Sequence, residues 1–296
     1  SLHGVDQVTS DRVKEVQDQL RGRAYDRREE FSAVLCWFLA EGLALRLAQH
    51  IKIRDQLLLS GDLMLHSLLG GEAPFEWHTE LLATEPMIAS GLAQRFRDVC
   101  AVEVDDGLEF ELPPCGVADP VEMDGGRCFL VNIIGRLGSI ALPLPVVVRV
   151  DEQFRQKPCD YFFGSVLGNT VRARVLACPP TVLVALQLRA AVGLGAAPTG
   201  LKVLWDLHRL IASGQVDASL VPDAVADAFR DRVQPVPKSV PLLLSEEFSA
   251  DASRQTVWAA FLKRARIDAP ALSEVVRRVQ REAFPWLIQG CRGAVS

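Results

Sequence analysis

An apolar run that stops dead on a glycine constrains this chain most. Leu57-Leu58-Leu59 reads as a short buried strand, and Ser60-Gly61 closes it. A helix is expected from Leu63 to Leu69, a break falls at Gly70-Gly71, and Trp77 to Ala83 reads as a second strand. A glycine between strand and helix lets a ligand come close to the backbone, and the helix N-terminus behind it favours an anion such as phosphate. On the second strand His78 and Glu80 are two residues apart. Strand side chains alternate, so both would face the same side.

The rest of the sequence narrows the classes around that unit. The chain has 296 residues, 49% of them hydrophobic and 23% charged, with a formal net charge of −5. That excludes a disordered chain, a collagen-like repeat and a bulk polycation. Seven cysteines, an odd number with no CxxC pair, argue against a disulfide scaffold or a zinc ribbon and for a reducing compartment. Leu35 to Leu47 is interrupted by Glu41 and Arg46, so no membrane partner is expected. Ser1 to Asp26 is polar and charged, unlike a secretory leader, and a cytoplasmic protein is the expectation. Charge is uneven. Residues 1–169 hold 16 basic and 26 acidic side chains, residues 170–296 hold 16 and 11.

Helices are expected at 11–22 and 28–51 ahead of the first strand, and at 87–100 after the second. From 101 to 150 the texture turns to strands. Asp105-Asp106-Gly107 reads as a hairpin turn between Val102–Val104 and Leu108–Phe110. Pro143 and Pro145 place the start of the 140–150 strand at an edge or bulge. Beyond about 178 the pattern is helical, at 181–194, 201–213, 218–232, 253–267 and 271–289. The expected organisation is an N-terminal helical segment (1–54), an α/β core (55–177) and a helical C-terminal domain (178–296). Gly193-Leu194-Gly195 follows a helix rather than a strand and is no dinucleotide fingerprint. The cations Lys263, Arg264, Arg266, Arg277, Arg278 and Arg281 read as solvated helix faces or an RNA-facing surface.

One segment carries a family likeness. Gly195-Ala196-Ala197-Pro198-Thr199-Gly200-Leu201-Lys202-Val203-Leu204-Trp205-Asp206-Leu207 resembles the Lys- and Asp-bearing segment of the AbiEii/AbiGii toxin family of nucleotidyltransferases. Leu244-Ser245-Glu246-Glu247-Phe248 and Trp258-Ala259-Ala260-Phe261-Leu262-Lys263-Arg264 resemble that family's helical C-terminal region, and Leu57–Gly61 its glycine turn. The resemblance implies an α+β fold: a nucleotidyltransferase-like mixed β-sheet core with flanking helices and a helical C-terminal domain. It implies Ser60, Gly61 and Lys202 as nucleotide-binding residues, and His78, Glu80 and Asp206 as the catalytic positions. It further implies a divalent metal at His78 and Glu80, an NTP as co-substrate, and RNA or a cognate antitoxin or other protein as partner.

The departures fall on the chemistry. Where the family has two acids, this chain has His78 and Glu80; the third acid maps near Val147, within the apolar Val146-Val147-Val148. The Lys before the turn glycine is Ser60, the later Glu-Lys pair is Leu186-Gln187, and the acid after Lys202 is Val203. Magnesium wants hard oxygen ligands in near-ideal octahedral geometry, whereas a His–Glu pair suits Zn²⁺, Mn²⁺ or Fe²⁺ better. Asp151, four residues past Val147, would sit roughly 13 Å along an extended strand, too far to replace it without a bulge. The expectation is a pseudoenzyme that binds a nucleotide, a nucleic acid or a protein. The alternatives are an active metal-dependent NTP transferase in a toxin–antitoxin or phage-defence system, and a structural subunit of a larger assembly.

Overall fold

A computed structural model gives the fold for residues 2–69, 79–123, 126–152, 154–195, 197, 199–230, 237, 239–265 and 267–293. Two helices open the chain, α1 (Leu2–Arg27) and α2 (Phe31–Gln49). α1 is longer at both ends than the expected 11–22. Val16, Leu20 and Ala24, one turn apart, form its buried stripe, and Arg28 in the left-handed region (φ 56°) ends it.

α2 is buried nearly all round, as the density of its apolar positions implies. By length and composition it is the one described helix that could cross a membrane. Its two interior charges instead tie it to the sheet. Glu41, 1% exposed, accepts the backbone N–H of Val166 at 2.9 and 3.2 Å. Arg46, 2% exposed, grips Asp106 with two hydrogen bonds of 2.9 and 3.0 Å. It also donates to the carbonyls of Gly42 and Leu108 and lies over the Phe110 ring.

The core alternates β1 (Leu57–Ser60), α3 (Gly61–Leu69), β2 (Thr79–Ala83) and α4 (Ala89–Cys100). There follow β3 (Leu108–Glu111), β4 (Val121–Met123), β5 (Gly126–Leu137), β6 (Ile140–Val150), β7 (Cys159–Ser165) and β8 (Gly168–Ala177). They make one mixed sheet in the order β3-β5-β6-β2-β1-β8-β7, with β4 on β5. β2 runs antiparallel to β1 and parallel to β6, and β1 runs parallel to β8. Pro143 and Pro145 lie in the stretch of β6 that pairs with β5 alone, before β2 joins at Val146, so the edge placement expected from them holds.

One expected hairpin is absent. Val102–Val104 is not a strand, and β3 pairs with β5 instead. The Asp106 carboxylate accepts the N–H of Leu108 at 3.0 Å while holding Arg46. The presumed hairpin turn is thus an Asp-capped bend anchored on α2, which leaves Val102–Val104 unpaired.

The second half is helical: α5 (Pro180–Leu194), α6 (Gly200–Ala212), α7 (Val221–Phe229), a 3-10 turn (Leu242–Leu244), α8 (Glu246–Ala250), α9 (Ala252–Ala265) and α10 (Leu272–Gly293). Ser245 caps α8, its hydroxyl accepting the N–H of Phe248 at 3.1 Å. α10 packs closely on α7 at Gly290, where a Cβ would come within 2.5 Å of Val225. A single cluster of buried apolar side chains runs from Val16 to Cys291.

Candidate functional site

The tip of β1 fixes the geometry. Gly61 adopts a φ of +62°, a conformation that costs any residue with a Cβ about 1–2 kcal/mol. A Cβ there would also meet Cβ, Cγ and Cδ of Glu80 at 2.5–2.6 Å. Glycine is required twice over, by the turn and by the side chain that crosses it. Gly61→Ala is therefore expected to lower stability by about 1–2 kcal/mol from the backbone alone. Urea unfolding of the variant checks this; removing the Glu80 side chain beyond Cβ in the same protein relieves only the contacts with Cγ and Cδ and leaves the backbone cost and the contact with Glu80 Cβ.

Ser60 pairs with Glu80 across β1 and β2, and Glu80 pairs with Val147 across β2 and β6. These three residues form one row on one face of the sheet. Thr79 and Leu81, which a one-residue slip would have put there, are buried on the other face. The β2–β6 register is unbroken, so the apolar Val147 stands beside Glu80. His78 lies outside the described residues.

Asp151 continues beyond β6, its N–H bonded to the carbonyl of Ala83 at 2.9 Å, with no bulge to bring it back toward Glu80. Ser60 is buried and hydrogen-bonded to the Cys178 thiol. Burial pushes that thiol up to about 12; the Ser60 bond opposes this, while Cys159, Asp151 and Glu80 add to it. Cys178 is accordingly an inert core thiol at neutral pH.

Lys202 arrives from the helical half. On α6 it stands one turn before Asp206, and its Nζ donates to Asp206 Oδ2 at 2.8 Å. It also donates to Asp62 Oδ1 at 2.5 Å, and Asp62 lies in the first turn of α3, directly after Gly61. The fold therefore brings Gly61, Lys202 and Asp206 to one place, and adds Asp62.

The Asp62 and Asp206 side chains are 12% and 6% exposed and that of Lys202 is 29%. Burial favours the neutral amine, but the two carboxylates and their hydrogen bonds outweigh it and hold Lys202 far above its ordinary value. For Asp206, burial pushes the carboxyl up against the pull of Lys202, with Asp62 pushing the same way as burial. The cluster is a lysine ammonium shared between two acids.

Among the described residues, no group of three or more His, Cys, Asp or Glu side chains is arranged to hold a metal ion. The described donors at this turn do not fit magnesium: Glu80 has Val147 for its neighbour, and Asp62 and Asp206 are both bonded to Lys202.

The family model for the nucleotidyl transferase AbiEii toxin, type IV toxin–antitoxin system, matches residues 80–289, a span that includes Glu80, Val147, Lys202 and Asp206. The crystal structure of JHP933 from Helicobacter pylori is 12% identical, with 89% of this chain and 95% of that one covered, at a TM-score of 0.42. A second H. pylori crystal structure, of a "putative nucleotidyltransferase", is 12% identical over 88% of this chain and 97% of that one, at a TM-score of 0.41. No curated protein matches. With the family model covering residues 80–289, most of its length, the chain belongs to the AbiEii family of nucleotidyltransferase toxins.

Proposed function

We propose that this chain is a catalytically degenerate AbiEii-family member that binds a nucleotide at the Gly61 turn and Lys202 without transferring it. We further propose that its protein partner is the antitoxin of a type IV toxin–antitoxin pair and that it works in the cytoplasm. The observation that supports the reading best is the row Ser60, Glu80, Val147 across three strands. In a nucleotidyl transfer, carboxylates at these tips would hold the metal against the triphosphate and take the proton of the attacking hydroxyl. A valine does neither. General-base assistance alone contributes about 10²–10⁴-fold to such a step, and a metal's charge stabilisation several kcal/mol more.

Calorimetric titration with each NTP, with and without Mg²⁺ or Mn²⁺, tests the proposal together with label transfer from α-³²P-NTPs to RNA and protein. Binding that survives chelation of the metal, with no label transferred, is the expected result. Tight binding that needs metal and disappears in Glu80→Ala, or any transferred label, would instead establish a working transferase.

A further inference from the structure

We propose that Asp62 is an internal stand-in for a ligand phosphate, whose carboxylate occupies Lys202 and keeps the nucleotide cleft in a low-affinity state until an incoming anion displaces it. The inference rests on the nucleotide-binding reading above and adds its regulation.

Three observations support it. First, Asp62 occupies the place where a phosphate would be received. It follows the positive-φ Gly61 and lies in the first turn of α3, where the helix dipole favours an anion. Second, the bond to Lys202 is made across the fold. Asp206 sits on the same helix four residues away and is enough by itself to orient the lysine. Asp62 lies 140 residues away in the chain, on another element, so its bond closes α3 onto α6.

Third, Asp62 sets a negative charge against the lysine. Lys202 bonded to Asp62 and Asp206 sums to −1 with both acids ionised, Arg209 acts on Asp206 as a further cation, and the Asp62 carboxylate itself repels a polyphosphate approaching the lysine. Without the Asp62 charge the remaining pair is neutral, and one of the three ammonium donors is released. The Lys202 side chain keeps 29% of its surface exposed while both acids are nearly covered, so the lysine is the member of the cluster that borders solvent.

Inorganic tripolyphosphate is the probe, since it needs no base recognition and no metal. Its affinity is measured calorimetrically at fixed ionic strength with EDTA present. Asp62→Asn is expected to bind roughly tenfold tighter or more than the wild-type protein, because a like charge close to the ligand has been removed. Asp62→Glu, which keeps the charge, should not gain. Adding Lys202→Met to Asp62→Asn should abolish the gain.

Should Asp62→Asn fold poorly by circular dichroism, Asp62→Ser keeps an early-helix oxygen without the charge and is expected to show the same gain. Unchanged or weaker binding in the neutral variants, or a gain that persists without Lys202, overturns the inference. The two readings fail separately. Label transfer by the wild-type protein defeats binding without turnover and leaves the affinity comparison standing. Equal affinities defeat the role of Asp62 and leave the transfer result standing.

Discussion

Arg46→Ala is expected to cost the fold about 3–5 kcal/mol, because it strands a buried carboxylate. The Arg46 side chain is 2% exposed and that of Asp106 8%. The guanidinium makes two bonds to Asp106 and one each to the carbonyls of Gly42 and Leu108. Removing it leaves the buried Asp106 charge without its guanidinium and takes the Arg46 donors from two carbonyls. Asp106→Ala breaks the same pair from the other side and also removes the acceptor for the Leu108 N–H. Replacing both partners together, as Arg46→Met with Asp106→Asn, keeps a side-chain acceptor for that N–H and removes both charges. The double variant should therefore recover much of the loss. Guanidinium unfolding of the three proteins decides it: a single variant within about 1 kcal/mol of wild type would mean that the pair is not the anchor of α2 on the sheet edge.

That anchor was beyond the reach of sequence reasoning. Arg46 and Asp106 are 60 residues apart, and local periodicity sees only Asp105-Asp106-Gly107, a sequence suited to a hairpin. The tertiary ion pair turned the bend toward α2 and left Val102–Val104 without a strand partner. Where burial follows a period, the reading holds. The stripe Val16, Leu20 and Ala24, the all-round burial of α2 and the apolar β1 could be read from spacing alone. The sequence expectation does not include the β7–β8 hairpin, although Val171-Arg172-Ala173-Arg174-Val175 alternates cleanly; β7 is the edge strand and β8 leads straight into the helical half.

The site divides in the same way. Gly61 is legible because only glycine suits a left-handed turn between strand and helix, whereas it takes the β2–β6 register to set Val147 beside Glu80. Lys202 and Asp206 were visible as a pair one helical turn apart. The Asp62 bond that completes them was not, since no local rule links residues on α3 and α6. Nothing in the local sequence marks His66 beyond its place one turn after Asp62, and its surroundings come from three other helices.

Those surroundings make acid the condition most damaging to α3. His66 is 7% exposed, its ring meets Trp37 edge to face at 3.7 Å between centroids, and neither ring nitrogen has a hydrogen-bond partner among the described residues. Burial, then the positive charges of Arg27 and Arg209, against the opposing pull of Asp62, push it down from 6.5 to about 3. The unfolded chain takes up this proton near pH 6.5 and the folded chain only near pH 3. Between those values the unfolded state binds more protons. The contribution to stability is whole above pH 6.5 and falls by about 1.4 kcal/mol for each pH unit below it.

From pH 7 to 4.5, wild type should lose about 3 kcal/mol more than His66→Phe, read from urea unfolding at constant ionic strength. Phenylalanine fills the same space against Trp37 and leaves no buried nitrogen, so at pH 7 the variant should be at least as stable as wild type. Carboxylates elsewhere titrate in both proteins and cancel in the difference. Parallel stability profiles over that range would mean that the imidazole finds water or a counter-charge in the folded state. α3 would then have no acid sensitivity of its own.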